Sequence, residues 1–433
     1  MGDVQLRSTA TRYNSGLNPP SVSSKSQMPD SVHPVASTSE ASRPPAVRLL
    51  SIDVFRGWVM FMMWAHVLGF CAVAEEVPES RVWSFLCYHW SHVEWRGMAL
   101  HDLIQPGFSF LVGTALAFSI ASRRRRGQSD GHLVMHAAWR SVVLVLLGVF
   151  LRSLGRDETS WTFEDTLSQI GLGYLPLVLI GIGPRWMTWT SIAVLLIGYF
   201  IAFAAYPLPP NNFDYAAVGV DPAWPLLQDG FAAHWNKNSN LAWRFDVWFL
   251  NLFPRSELFT HNGGGYSTLS FVPTLVTMLL GLVAGWWLRD AKTPKSTLTH
   301  FAVATVICLA AGYTLDATSI CPNVKRIWTP SWVLVSGGWC FFVLAALHIV
   351  CDLAGYRAWA YPLVIFGMNS IAAYVMEWLL PGMIGEMLDR HLPESWSSIA
   401  KPEYESLLLG GVLLLIVWLI LLWMHKRKIY IKI

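Results

Sequence analysis

The chain has 433 residues, of which 54% are hydrophobic and 14% charged, with 23 tryptophans and a formal net charge of +3. Soluble domains carry about 25% charged residues, so this composition excludes an ordinary soluble fold, and the small net charge gives no basis for a nucleic-acid partner. Lipid admits only helices or closed barrels as spanning structures, and apolar runs of about 20 residues suit helices. The expected fold class is all-α, a polytopic transmembrane helical bundle.

Residues 1–46 are rich in Ser, Pro, Thr and Asn. Such a segment buries too little surface to offset its ordering entropy, so a disordered tail is expected there. No apolar core follows its first basic residues, which argues against a signal peptide. The remainder, 47–433, is expected to be one transmembrane domain. The hydropathy pattern predicts about ten spans of roughly 20 residues, near 54–74, 99–121, 137–154, 166–183, 187–206, 268–288, 299–317, 332–351, 359–380 and 406–424. The third and fourth are short and contain Gly or Pro.

Basic residues concentrate in alternate short loops: Arg123 to Arg126, Arg185, the group Arg289, Lys292 and Lys295, then Arg357 and the C-terminal Lys426, Arg427, Lys428 and Lys432. The intervening loops hold Glu75, Glu76, Asp157 and Glu158. By the positive-inside rule both termini are expected inside. His89–Glu94 then falls outside, with Asp102 at the outer end of the second span. A long outer loop, about 207–267, carries Phe213, Tyr215, Trp224, Phe231, Trp235, Trp243 and Trp248. Loops of that length are usually functional or partly folded. Its aromatic residues can stack on sugar rings, though anchoring at the membrane interface is their commoner use. No CxxC pair occurs among the six cysteines. Cys87 and Cys321 fall in loops assigned to one side, which leaves a disulfide between them open, since spacing does not establish reach.

Ionisable groups in or beside spans are costly and functional by default. Here they are Asp53, Arg56, His66, Asp102, Asp165, His300, Asp316, His348 and Glu377. Asp53 and Arg56 are three residues apart on one helical face and are expected to pair. His66, His348 and Glu377 read as satisfied core groups. His92 differs in its company, with Trp90 and Trp95 beside it and Asp102 ten residues on. A carboxylate that orients a histidine makes the ring a general base for an attacking amine or hydroxyl. A wet loop histidine, and a metal set of His89, His92 and His101 or Asp102, compete with that reading; the spacing matches no standard ligand pair, and no metal is expected. The block containing Arg124 and Arg125, with Arg140 on the next helix, can receive phosphates, although topology alone accounts for it. Asn369, Ser370 and Tyr374 bring polar groups into the ninth span, where they can line a cavity or bridge helices.

HVEWRGMALHDLIQP, His92 to Pro106, resembles the motif H-x-x-W-x-G-x-x-x-x-D-L-x-x-P of the heparan-α-glucosaminide N-acetyltransferase family. RLLSIDVFRG from Arg48, RRRRGQS from Arg123, KRIWTPSW from Lys325 and GMNSIAAY from Gly367 resemble further blocks of that family in the same order. The resemblance implies acetyl transfer from acetyl-CoA on the inner side to a glucosamine amine outside. It matches His92 to the family's essential histidine and Asp102 to the following aspartate. Arg124, Arg125, Arg140 and Asn369 are then the candidates for holding acetyl-CoA, and Trp95, Lys325 and Trp328 for the saccharide acceptor. Three positions depart from the pattern: Val67 stands near an expected Asn, Gln169 near an expected Arg, and NGGGYST (Asn262–Thr268) replaces an acidic block. The lumenal N-terminal domain of the lysosomal member is also expected to be missing. The competing class is a transporter or flippase for a sugar or lipid-linked glycan, with His92 and Asp102 relaying protons. A cell-membrane location and a homodimer complete the expectations.

Overall fold

The computed structural model describes residues 49–431 apart from 394, 395, 397 and 398; the expectations for the 1–46 tail lie outside the described residues. The first apolar run does not make one straight span. Helix α1 (Leu50–Trp64) passes through a 3-10 turn to Gly69, whose φ of +62° turns the chain, and α2 (Phe70–Glu76) continues at an angle. Glycine takes that left-handed conformation without the Cβ penalty. A short helix α3 (Arg81–Trp90), capped by Ser80, then leads into the polar stretch.

Five helices follow: α4 (Ile104–Arg125), α5 (Asp130–Ser153), α6 (Thr166–Ile182), α7 (Arg185–Ala205) and the short α8 (Leu241–Phe249) within the long loop. Beyond it come α9 (Phe271–Asp290), α10 (Pro294–Ala317) and α11 (Pro330–Leu347), then α12 (Tyr361–Met368), α13 (Ser370–His391) and α14 (Glu405–Lys426). Among the described residues nine segments are long and apolar enough to cross a membrane, rather than about ten. The difference is α6, whose 17 residues fall just short. The predicted ninth span is also two helices, because the chain leaves helical geometry at Asn369 (φ −125°, ψ 45°) and α13 runs on to His391.

Helices α4 and α9 form the centre of the bundle. Lipid tails are as apolar as leucine, so close approach and dispersion hold such helices together, and small residues permit the approach. A Cβ on Gly281 would lie 1.8 Å from the Phe110 carbonyl, one on Gly113 1.8 Å from that of Met278, and one on Gly285 2.5 Å from that of Thr114. The register 110 to 281 and 114 to 285 makes the pair parallel. Helices α7 and α10 lie at the rim with exposed Val194, Ile197, Ile201, Val303, Val306 and Ile307, an apolar surface suited to acyl chains.

The alternation of helix directions gathers Trp90–Ala99, the 206–267 loop and 318–329 at one end of the bundle. Arg123 to Arg126, Arg185, Arg289 and the end of α14 lie at the other. The long loop is partly folded: Trp235 is buried with Trp95 and Cys321 in a second apolar cluster, and Trp224 donates to Glu94. Cys321 is therefore not bonded to Cys87. Cys87 pairs with Cys71, because the kink at Gly69 carries Cys71 out of the first span to face α3.

Candidate functional site

Asp102 organises the polar stretch. It sits in a 3-10 turn, Leu100–Leu103, directly before α4, and is fully buried. Its Oδ2 accepts from the backbone N–H of Ala99 (2.9 Å) and of Val93 (3.4 Å), which folds the His92 loop back over the helix start. Its Oδ1 receives His92 Nδ1 at 2.8 Å and Lys325 Nζ at 3.0 Å. A carboxylate only accepts, so Nδ1 carries the imidazole proton and Nε2 is left with its lone pair. The Lys325 ammonium also lies 3.0 Å from His92 Nδ1.

Lys325 reaches this place because its segment is clamped to the same loop. Arg96 bonds the Asp316 carboxylate (2.8 Å) and carbonyl (2.7 Å), and Gly97 N–H donates to the Asn323 carbonyl (3.0 Å). Arg326 donates to the Val93 and Gly264 carbonyls, joining the 318–329 segment to the long loop as well.

The Lys325 side chain is 6% exposed and that of His92 40%. Burial and the Lys325 ammonium push the His92 pKa down from its usual value, and the Asp102 hydrogen bond opposes them only in part. His92 is therefore a neutral imidazole at neutral pH, oriented through Nδ1 and basic at Nε2. The other two histidines differ. His89 Nδ1 accepts the Leu100 N–H (3.3 Å) and props the turn. His101 is buried against His92 with ring centroids 4.6 Å apart.

His92, His101 and Lys325 line a cavity of about 390 Å³ together with His66, Tyr266 and Tyr374. A second cavity of about 200 Å³ opens toward the opposite end, lined by Arg56, Arg123, Arg140 and Tyr174. Phe108 contributes to both cavities. The Phe108 side chain thus stands between the His92 cavity and the cavity lined by the arginines.

The candidates for holding a phosphorylated donor divide. Arg140 lines the second cavity, its guanidinium 4.7 Å from the Tyr174 ring centroid. Arg124 is engaged by Asp130 (2.9 Å) and the Ile182 carbonyl (2.8 Å), Arg125 is exposed, and neither lines the cavity, whereas Arg123 does. Asn369 is turned away: its amide donates to the Ile429 carbonyl (2.9 Å) and accepts from Ile431 N–H (3.2 Å), which straps the C-terminal segment to the break between α12 and α13. Asp53 and Arg56 form the expected pair at 3.4 Å.

The acceptor-side candidates divide too. Lys325 belongs to the His92–Asp102 cluster itself. Trp95 and Trp328 are each 1% exposed and do not line the first cavity. A buried indole N–H needs a partner, and theirs are the Trp235 carbonyl (3.1 Å) and Thr277 Oγ1 (3.2 Å). Periodicity and spacing give no signal for Arg152, Glu164 and Tyr266, which the fold adds to the wall. Asp165 and Glu377, known beforehand only as ionisable groups near spans, also face this cavity. Gln169, in place of the expected Arg, donates to the carbonyls of Phe163 (2.8 Å), Thr268 (3.2 Å) and Ser267 (3.3 Å), and so ties α6 to the start of α9.

Comparison with known proteins finds two relatives by sequence. Over 91% of this chain the identity to heparan-alpha-glucosaminide N-acetyltransferase of Mus musculus is 24%, and over 99% of it the identity to the same enzyme of Homo sapiens is 24%. The chain spans 62% and 66% of the lengths of those relatives. No family model matches it.

Proposed function

On the premise that the chain belongs to the same family as these N-acetyltransferases, we propose that it is a membrane-embedded acetyltransferase. It moves an acetyl group from acetyl-CoA to a saccharide amine, with the donor on the side of Arg123 and Arg140 and the acceptor on the side of His92. The observation that carries this reading is the oriented, neutral His92 in the wall of one cavity, which shares Phe108 with a second cavity lined by Arg56, Arg123 and Arg140. The Lys and Arg of the short loops on the donor side support an inner position for that side.

The second cavity fits the donor chemically. Arg56, Arg123 and Arg140 offer cationic guanidinium groups, suited to phosphate, at its mouth. Leu111, Leu116 and Ile170 give the apolar wall that a pantetheine arm needs. Bound there, the thioester supplies an activated acetyl carbonyl at the His92 end.

His92 Nε2 then has two routes. As general base it takes the proton from the acceptor amine while the nitrogen bonds to the acetyl carbon; the thiolate leaves and recovers that proton. As nucleophile Nε2 bonds to the acetyl carbon while the C–S bond breaks and the thiolate leaves; the amine then displaces Nε2 from that carbon, and its proton passes to Nε2 and on to the thiolate. In both routes Asp102 holds Nδ1–H and stabilises positive charge developing on the ring. Lys325 offsets the Asp102 charge in the resting state and keeps the imidazole unprotonated.

The test is transfer of label from acetyl-CoA to glucosamine by purified protein in nanodiscs. His92→Ala abolishes transfer and retains acetyl-CoA binding; unchanged turnover removes His92 from its role. Acetyl-His92 seen by mass spectrometry without acceptor selects the nucleophilic route. Sugar flux across proteoliposomes that never requires acetyl-CoA would establish the transporter reading instead.

A further inference from the structure

The wall of the His92 cavity is acidic in a way the two routes above do not use. Glu164 and Asp165 come from the turn before α6, and Glu377 from α13. One cation stands among them, Arg152, with a nitrogen 3.6 Å from Glu164 and its guanidinium over the Trp378 ring. His66 faces Glu377 at 3.9 Å, with its Nδ1 2.7 Å from the Met63 carbonyl. The other facing cation, Lys325, is held by Asp102.

Asp165 makes the imbalance plain. Its Oδ1 caps α6, accepting from Leu167 N–H (2.9 Å) and Ser168 N–H (3.0 Å). Its Oδ2 is buried and has no hydrogen-bond partner, in a residue only 5% exposed. A buried carboxylate oxygen left so is costly, and a ligand carrying N–H donors and positive charge removes the cost. Burial pushes both Glu164 and Asp165 above the usual carboxylate range, which marks them as groups short of compensating charge.

We propose that Glu164, Asp165 and Glu377 form a cation subsite that receives the ammonium group of the acceptor and selects an amine over a hydroxyl at the same position. The subsite rests on the acetyl-transfer reading and assigns its acceptor specificity to particular residues. These are specificity residues: they hold the amino group near His92, the bound ammonium gives one proton to solvent to free its lone pair, and His92 takes the second as the C–N bond forms. In the family pattern an acidic block stands where this chain has Asn262–Thr268. Here the acids converge from α6 and α13 on the same chamber, which Tyr266 of that segment also lines.

The experiment uses full-length protein in nanodiscs with glucosamine and glucose as probes, in wild type, Glu164→Gln, Glu377→Gln and Asp165→Asn. Asparagine caps a helix about as well as aspartate, so Asp165→Asn keeps the start of α6, and acetyl-CoA affinity reports that each variant is folded. Isothermal titration without acetyl-CoA is expected to give wild-type binding of glucosamine at least tenfold tighter than glucose, as a charge-assisted bond provides. The preference collapses in Glu164→Gln and Glu377→Gln. In turnover the same variants raise KM for glucosamine about tenfold or more, while kcat at saturation changes little. Equal affinity for the two sugars, or variants that keep the wild-type preference and KM, would overturn the subsite. Failure of wild type to use acetyl-CoA at all would instead overturn the transfer reading, and the titration still decides the subsite.

Discussion

Asp102→Asn removes one charge from a cluster in which every donor depends on it. In wild type Oδ1 faces two donors, His92 Nδ1 and Lys325 Nζ, while Oδ2 faces the N–H groups of Ala99 and Val93. An amide has one oxygen, so in either orientation its NH2 confronts two donors. If the oxygen serves the backbone, His92 loses the partner that sets its tautomer and Lys325 keeps a buried charge without a counterion. Breaking a buried pair from one side costs about 3–5 kcal/mol. The His92 side chain is 40% exposed, so its share is about 0–1 kcal/mol and most of the loss arises at Lys325.

We therefore expect Asp102→Asn to lower stability by about 3 kcal/mol and acetyl transfer by roughly 10²- to 10⁴-fold. Adding Lys325→Met to it should recover most of the stability and none of the activity, because the orphaned charge goes but the histidine stays misoriented. Thermal unfolding of purified protein and labelled acetyl transfer read the two quantities. If Asp102→Asn keeps more than about a tenth of wild-type kcat, Asp102 does not orient His92. If the two substitutions are additive in stability, the Lys325–Asp102 pair is not the buried ion pair described.

His92 has its pKa lowered in the fold, so kcat/KM should stay level as pH falls to 6.5 and decline only below it; a decline beginning above pH 7 contradicts the role of Lys325. The same sign makes His92 a source of stability above its unfolded pKa, lost as pH falls through the lower folded value, which denaturation at stepped pH will show. Burial lifts Asp246, in α8, to about 7. A raised carboxylate pKa favours the fold at low pH and penalises it as pH rises through that value. Asp246→Asn should therefore raise the melting temperature at pH 8 relative to wild type and change it little near pH 3, below the ordinary carboxylate value. Gly281→Ala places a methyl group against the Phe110 carbonyl in the α4–α9 contact and should cost about 1–3 kcal/mol or more, read as loss of monodisperse protein on size exclusion. Gly411→Ala, where the added atom meets nothing within 4 Å, is the control.

Much of this architecture is legible from the chain alone, because it depends on local quantities. An apolar run of span length is a property of consecutive residues, and the alternation of basic and acidic loops follows from the same count. The approach of His92 to Asp102 belongs here as well: ten residues apart in one motif, they are joined by a turn that Asp102 itself caps through Ala99. The strap at Asn369, the Cys71–Cys87 bond and the burial of Trp95 and Trp328 are of another kind. Each depends on where a kink, a helix break or a neighbouring segment turns a side chain, and composition does not report direction.

The candidate site shows the same division most sharply. His92 and Asp102 stand in one stretch, but Lys325 enters across 223 residues through the Arg96–Asp316 and Gly97–Asn323 clamps. Glu164, Asp165 and Glu377 reach the cavity from two further elements. The sequence by itself determined a helical membrane bundle and a histidine with its orienting carboxylate. The tertiary structure decided the charge around that histidine and the acids opposite it, because Coulombic and hydrogen-bonding partners are set by distance in space, which residue order leaves free.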